Sequence, residues 1–360
     1  MKRIIFSLAF FCILTTACKH NHHCCPGKPL PVWPIEQSMQ WQQKNGWLVG
    51  CNYIPSTAVN QLEMWQQETF DTATIEKELR LASGLGFNLV RVFLHDLMWD
   101  ADSASFLSRM DQFLTIAAKN NIKTMFVFFD DCWYGNAQRG KQPEPVPGLH
   151  NSGWVQSPRY ADVMNRAEWP RLKRYMKGVL THFKNDERIV LWDLYNEPAN
   201  SHHVSQVFPL VREVFRWARD VNPSQPVTVC KWKENEQTLP LIEFCIRNSD
   251  VVTYHNYGKY EDMAKEIANL KSFGKPVLCS EYLARGYGST FETILPLLKK
   301  EGVGAVNWGF VDGRTQTKYH WDHPLDETKI DPWHHEIFNK DLTPYSKEEV
   351  EFIQKLIGKK

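Results

Sequence analysis

The sequence predicts a (β/α)8 TIM barrel, an α/β fold in which eight parallel strands close into a ring inside eight helices. Three observations point there. From residue 48 onward, short runs rich in β-branched and aromatic residues alternate without a break with longer amphipathic ones. Eight segments of each kind follow one another. No Gly-rich phosphate turn follows the first strand at Asn52-Tyr53, where a doubly wound open sheet would carry one. The length of 360 residues leaves one or two domains open, but such barrels commonly exceed about 250 residues as a single unit.

The first 34 residues stand apart from this pattern. Lys2 and Arg3 precede an eleven-residue apolar run, 4–14, well short of the roughly 20 needed to span a bilayer. Residues 1–17 therefore read as a signal peptide. The following Thr15-Thr16-Ala17-Cys18 resembles a bacterial lipobox, which implies a lipidated Cys18 and an exported, membrane-anchored protein facing the periplasm or the cell surface. Leu14 sits one place further from the cysteine than that pattern prefers, so ordinary cleavage after Ala17 and a periplasmic or secreted protein stay open. Residues 18–34 read as a Pro-rich tether; its His20, His22, His23, Cys24 and Cys25 can bind a metal or serve only as spacer. Residues 35–360 are left for the barrel.

Strands are expected at 48–53, 88–94, 123–129, 189–197, 226–231, 251–257, 276–281 and 304–310. Helical patterns fall at about 72–85, 103–119, 167–184, 205–220, 235–247, 261–273, 289–301 and 346–357. Hydrophobic residues at 43% supply a large core. Lys plus Arg number 42 and Asp plus Glu 41, a formal net charge of +1 without long runs of one sign, which argues against a nucleic-acid partner. Of nine cysteines, five lie in the barrel region, namely Cys51, Cys132, Cys230, Cys245 and Cys279. That number is odd and three of them sit in apolar strand runs, so buried thiols are expected, not a disulfide framework.

Catalytic groups of such barrels stand at the C-terminal ends of strands. Here those ends are polar and aromatic: Arg91, His95 and Asp96 for strand 2; Asp130, Asp131 and Trp133 for strand 3; Asn196 and Glu197 for strand 4. Strands 5 to 8 end with Lys231 and Trp232, His255 and Tyr257, Glu281 and Tyr282, and Asn307 and Trp308. Glu197 and Glu281 end strands 4 and 7, nearly across the mouth from one another. Two carboxyls so placed suit cleavage of a glycosidic bond, which needs one acid to protonate the leaving oxygen and one carboxylate to attack or stabilise the oxocarbenium-like centre. Because neighbours on a regular strand face opposite ways, Asn196 and Glu197 can both reach one sugar only if the strand bulges or ends there.

The order of these residues, with Asn196-Glu197-Pro198 at its centre, resembles clan A glycoside hydrolases and most of all family five, the cellulase and mannanase family. The resemblance implies a retaining β-glycosidase acting by double displacement on a β-linked glycan, with Glu197 as acid/base and Glu281 as nucleophile. It also implies that Asn196 binds the sugar 2-hydroxyl, that Arg91, His255 and Tyr257 support the nucleophile, and that Trp308 floors the central subsite. A cis peptide after Trp308 is part of the same implication. The family's His near the end of strand 3 is replaced by Asp130-Asp131-Cys132-Trp133, so Asp130, Asp131 and Trp133 are expected to build that side of the subsite differently. No cofactor and no metal are expected, and the implied partner is an oligo- or polysaccharide met by a monomer.

The same residues admit two other readings. A metal-dependent hydrolase would draw on His95, Asp130, Asp131, His202, His203, His334 and His335, but strand 1 lacks the His-x-His with which barrel metallohydrolases begin. A silent sugar-binding lipoprotein would have no need of both glutamates. Long loops, 37 residues after strand 3 and 35 after strand 8, carry Trp133, Trp154, Trp321 and Trp333 and are expected to wall the cleft.

Overall fold

The computed structural model describes residues 32–325 and 329–358. The expected signal peptide, Cys18 and nearly all of the tether lie outside the described residues. Eight strands form one sheet: β1 (Val49–Asn52), β2 (Leu89–Phe93), β3 (Lys123–Asp130), β4 (Ile189–Asn196), β5 (Val227–Thr228), β6 (Val252–His255), β7 (Val277–Glu281) and β8 (Gly304–Asn307). Their order is β5-β4-β3-β2-β1-β8-β7-β6, and every paired edge is parallel. The ring closes between β5 and β6, where the Lys231 amide donates to Thr253 O and the His255 amide to Lys231 O, both at 2.9 Å.

Strands buried on both faces must be apolar on both, which is why their sequences run almost continuously hydrophobic. Leu48, Leu89, Met125, Leu191, Leu278 and Val306 fill the lower interior, while the outward faces pack on the helices. β1 lies very close to β2 at Gly50: a Cβ there would stand 1.7 Å from Leu89 O, so only glycine fits. Helix ends follow their caps. The helix Thr72–Leu85 starts where the Asp71 side chain accepts from the Thr74 amide and stops at Gly86 with φ 101°; Lys347–Ile357 runs from Ser346 to Gly358 in the same manner.

The fold is the expected barrel, with local differences. Strand 5, expected over 226–231, pairs regularly only at Val227–Thr228 before the bridge at Lys231. The helix expected at 103–119 extends back to Asp96 through a kink at Asp102. Three helices were not foreseen: Ile35–Asn45, Gln61–Trp65 and Tyr160–Met164. The first closes the barrel bottom. Its Trp41 donates from Nε1 to Val190 O at 3.0 Å and packs against the lower interior layer. Its other apolar residues, Ile35 and Met39, are exposed and the remainder is polar, so it offers no continuous apolar stripe for a periodicity argument to detect. Among the described residues no helix is long and apolar enough to cross a membrane.

Replacing Trp41 by alanine should uncover this layer and orphan the Val190 carbonyl. We expect a loss of about 2 kcal/mol, less than for a fully buried indole, read as a lower denaturant midpoint at unchanged slope. An unchanged midpoint would remove Trp41 from the account of barrel closure.

Candidate active site

A cleft of about 900 Å³ opens at the C-terminal ends of the strands, near the upper end of the usual ligand-pocket range of about 300 to 1,000 Å³. Beneath its floor lies Arg91, fully buried on β2. Its five N–H donors have acceptors: Nε and Nη2 reach Asp193 Oδ2 at 3.1 and 2.8 Å, Nη1 reaches Asn52 Oδ1 and Glu281 Oε1 at 2.8 Å each, and Nη2 reaches Asn196 Oδ1 at 2.6 Å. Burial alone would lower the guanidinium's pKa, but Asp193 and then Glu281 more than offset it and hold the charge. One cation thereby ties β1, β2, β4 and β7 together.

Glu281, the last residue of β7, also accepts from the Tyr257 hydroxyl at 2.7 Å. Glu197 follows immediately after β4. The strand ends at Asn196, and Glu197 takes a left-handed φ of 43° that a side-chain-bearing residue adopts only under tertiary constraint. This turn resolves the alternation problem: Asn196 keeps its place on the strand and donates from Nδ2 to Asp130 at 2.9 Å, while Glu197 is brought to the same cleft. The Glu197 carboxyl accepts from Asn200 Nδ2 at 2.5 Å and from the Cys132 thiol at 3.2 Å, and its amide donates to Cys230 Sγ at 3.2 Å.

His255 bridges the two glutamates, with Nδ1 2.7 Å from Glu197 Oε1 and 3.3 Å from Glu281 Oε2. Burial lowers the His255 pKa to about 4, so the ring is neutral and one proton lies between Nδ1 and Glu197. Among the described residues, Glu197, His255 and Glu281 are also the one group whose potential metal-ligand atoms all lie within 4.8 Å of one another. Burial raises both carboxyls, each to about 7. The ion pair with Arg91 and the Tyr257 hydroxyl favour Glu281 as the anion, so the proton of the pair belongs to Glu197.

Of the residues singled out in the sequence, Trp133, Asn196, Glu197, His255, Tyr257, Glu281 and Trp308 line the cleft. Asp130 and Asp131 do not. Asp130 stands behind, accepting from Trp154 Nε1 at 2.7 Å and from Asn196; Asp131 pairs with His202 Nδ1 and the Tyr195 hydroxyl. They support the wall and are buried from any ligand. The expected cis bond after Trp308 is absent; the non-proline cis peptide joins Cys132 to Trp133. Trp308 is instead set by edge contacts with Phe93 and Trp154 at 5.8 and 5.7 Å and by Gly309, whose φ of 81° and bare Cα admit His335. The long loops supply Trp154 and Trp321 to the wall, but Trp333 only stacks on Tyr345 at 4.6 Å and pins its loop. None of the seven residues of the metallohydrolase reading joins the bridged trio. His95, for example, accepts from the Leu97 amide at a helix start, and Asp96 pairs with Arg171.

Asp193, Asn200 and His150 carry no expectation in the sequence, and Cys132 stands there only as a buried thiol within Asp130-Asp131-Cys132-Trp133. Asp193 left a signal: it is an acid inside the apolar run 189–195, on the face of Leu191, which points into the barrel. Replacing Asp193 by alanine should leave the Arg91 charge buried with one anion fewer, costing about 3 to 5 kcal/mol, measurable by denaturant unfolding. A loss below 1 kcal/mol would show that Arg91 does not depend on it.

With this geometry in place, the relatives can be compared. A family profile described as cellulase (glycosyl hydrolase family 5) matches residues 49–312. A β-glucuronidase of Pongo abelii is 28% identical over 171 residues, 40% of this chain and 26% of that protein. The chain thus spans about a fifth to a quarter of the length of the curated relatives it matches. Among solved structures, the exo-β-1,4-mannosidase Op5Man5 from Opitutaceae bacterium strain TAV5 superposes with a TM-score of 0.59 at 18% identity over 87% of this chain and 59% of that one. The hyperthermostable endo-1,4-β-D-mannanase from Thermotoga petrophila RKU-1 gives 0.54 at 16% identity, over 87% and 99%. At such identities the two structures speak to the fold, whereas the profile spans most of the barrel and its site: the chain belongs to glycosyl hydrolase family 5, a family of glycosidases.

Proposed function

We propose that this chain is a retaining β-glycosidase that cleaves O-glycosidic bonds of a β-linked glycan by double displacement. The observation that carries the reading is the pair of buried carboxyls from β4 and β7, with oxygens within 4.8 Å. That spacing is close to the roughly 5 to 5.5 Å of retaining enzymes and short of the roughly 6.5 to 9.5 Å that leaves room for an attacking water. Glu281, held anionic by Arg91 and Tyr257, attacks the anomeric carbon and displaces the leaving oxygen, which takes the proton of Glu197. Glu197 then draws a proton from water as the glycosyl ester to Glu281 is hydrolysed. Asn196 binds the sugar 2-hydroxyl, Trp308 floors the central ring, and Trp133 and Trp321 offer stacking surfaces at the rim.

The substrate class that fits is a neutral hexose glycan of the mannan or glucan type. Of the two cleft lysines, Lys231 is already paired with Glu266 and with Glu234 at 2.8 Å and Lys233 lies over the Trp232 ring at 6.0 Å, while a sugar carboxylate would face Glu197 and Glu281. The mannosidase and mannanase among the solved relatives agree with that class, and the β-glucuronidases supply the contrasting one. We further propose that the enzyme works as a monomer, exported and anchored through a lipid on Cys18.

Three outcomes follow. Glu197→Gln should retain the first step on a dinitrophenyl glycoside, where the phenolate departs unprotonated, and stall on natural glycans, whereas Glu281→Gln should lose both. Equal loss in the two variants, or turnover by Glu281→Gln, would reverse or refute the roles. Because the acid must carry its proton, kcat/KM should fall as pH rises through about 7, the value burial gives Glu197; a plateau extending above pH 9 would contradict this. For the anchor, cells fed labelled palmitate should label the wild-type chain but not Cys18→Ala, and a labelled variant would place the lipid elsewhere.

A further inference from the structure

Glu197 has an unexpected neighbour. Cys132 follows β3 at the place where the family pattern puts a histidine, and its thiol lines the cleft at 3.2 Å from Glu197 Oε2. Asn200 Nδ2 donates to the same oxygen at 2.5 Å and to Cys132 Sγ at 3.0 Å, so carboxyl, thiol and amide form a closed triangle. The thiol's own position is fixed from behind. The Cys132 amide donates to Asp130 Oδ1 at 3.0 Å, and that oxygen also accepts from Asn196. Burial keeps the thiol protonated, so Sγ–H acts as a donor and not as a nucleophile.

We propose that Cys132 is a positioning residue for the acid/base: its S–H, together with Asn200, holds Oε2 of Glu197 and sets how readily that carboxyl gives up its proton. The inference rests on the role assigned to Glu197 above. Two oxygens of that carboxyl then have different tasks. Oε1 faces His255, whereas Oε2 is held by Cys132 and Asn200. A donor to the carboxylate stabilises its ionised form, so removing it must make Glu197 harder to deprotonate. A sulfur donor is weak, which leaves the carboxyl less acidic than a histidine or hydroxyl at the same place would. The other charged and titratable groups around Glu197 are Arg91 from β2, Asp130 and Asp131 at the end of β3, Cys230 after β5, His255 and Tyr257 from the β6 end, and Glu281 from β7. None of them is a hydrogen-bond partner of the Cys132 side chain.

The test is the pH dependence of kcat/KM on an aryl glycoside that needs acid assistance. Cys132→Ala should move the basic limb upward by at least half a pH unit. Cys132→Ser, which restores a donor, should bring it back to or below the wild-type position, and Asn200→Ala should move it upward as Cys132→Ala does. If the Cys132→Ala protein does not fold, the opposite displacements of the Ser and Asn200→Ala variants still decide the matter. A uniform fall in rate with an unmoved limb would reduce Cys132 to packing and overturn the proposal. The Glu197→Gln control separates this failure from failure of the underlying role: if it abolishes the basic limb on the aryl glycoside that needs acid assistance while the first step on a dinitrophenyl glycoside survives, the acid/base assignment stands whatever Cys132 does, and if the limb persists, that assignment itself falls.

Discussion

The site depends on one buried cation. A guanidinium removed from water is tolerated only when its charge and its donors are matched, and a loss of either leaves a penalty of several kcal/mol. Arg91 meets this requirement with Asp193, Asn52, Asn196 and Glu281, drawn from three other strands. Asp193 is the permanent counter-charge. Glu281 is the one that faces the cleft, and under the proposed mechanism it can be spent in a covalent bond because Arg91 keeps Asp193 throughout. The same contact with Asn196 fixes the last residue of β4 and hence the left-handed turn that presents Glu197.

Around this anchor the two glutamates are given unequal settings. Glu281 is held by a cation and a phenol, both donors, whereas Glu197 is held by an amide, a thiol and a neutral imidazole. Burial pushes both toward the protonated form, and the unequal donors decide which one keeps the proton. The roles of acid and nucleophile proposed for them would therefore be distinguished by their neighbours.

Much of this was legible in the sequence for a simple reason. A parallel barrel buries both faces of each strand, so its strands announce themselves as apolar runs, and the residues that interrupt or end those runs are the ones facing the cleft. Arg91, Glu197, His255 and Glu281 were found in this way. Asp130 and Asp131 stood in equally suggestive places yet turn away from the cleft, because strand alternation near a strand end does not say which acid meets solvent and which meets Trp154 or His202. Cys132 was expected only as one buried thiol among five, because a free cysteine reads as a small hydrophobe and its neighbours Asp130, Asp131 and Trp133 are the more conspicuous residues of that segment. The helix Ile35–Asn45 was invisible because a single tryptophan, Trp41, does its packing. A loop residue such as His150 meets the cleft through contacts far apart in the chain, which no local pattern encodes, whereas Trp321 was expected there from the length of its loop.

The central claim, that Glu281 forms a covalent bond to the sugar while Glu197 governs the proton, is tested most directly by trapping. The protein would be incubated with 2-deoxy-2-fluoro glycosyl fluorides of β-manno and β-gluco configuration, digested and examined by mass spectrometry. The account predicts one fluoroglycosyl adduct on the peptide containing Glu281, formed with inactivation and released slowly as activity returns. An adduct on Glu197 or another residue, or turnover of the natural glycan to an initial product of inverted anomeric configuration, would contradict it.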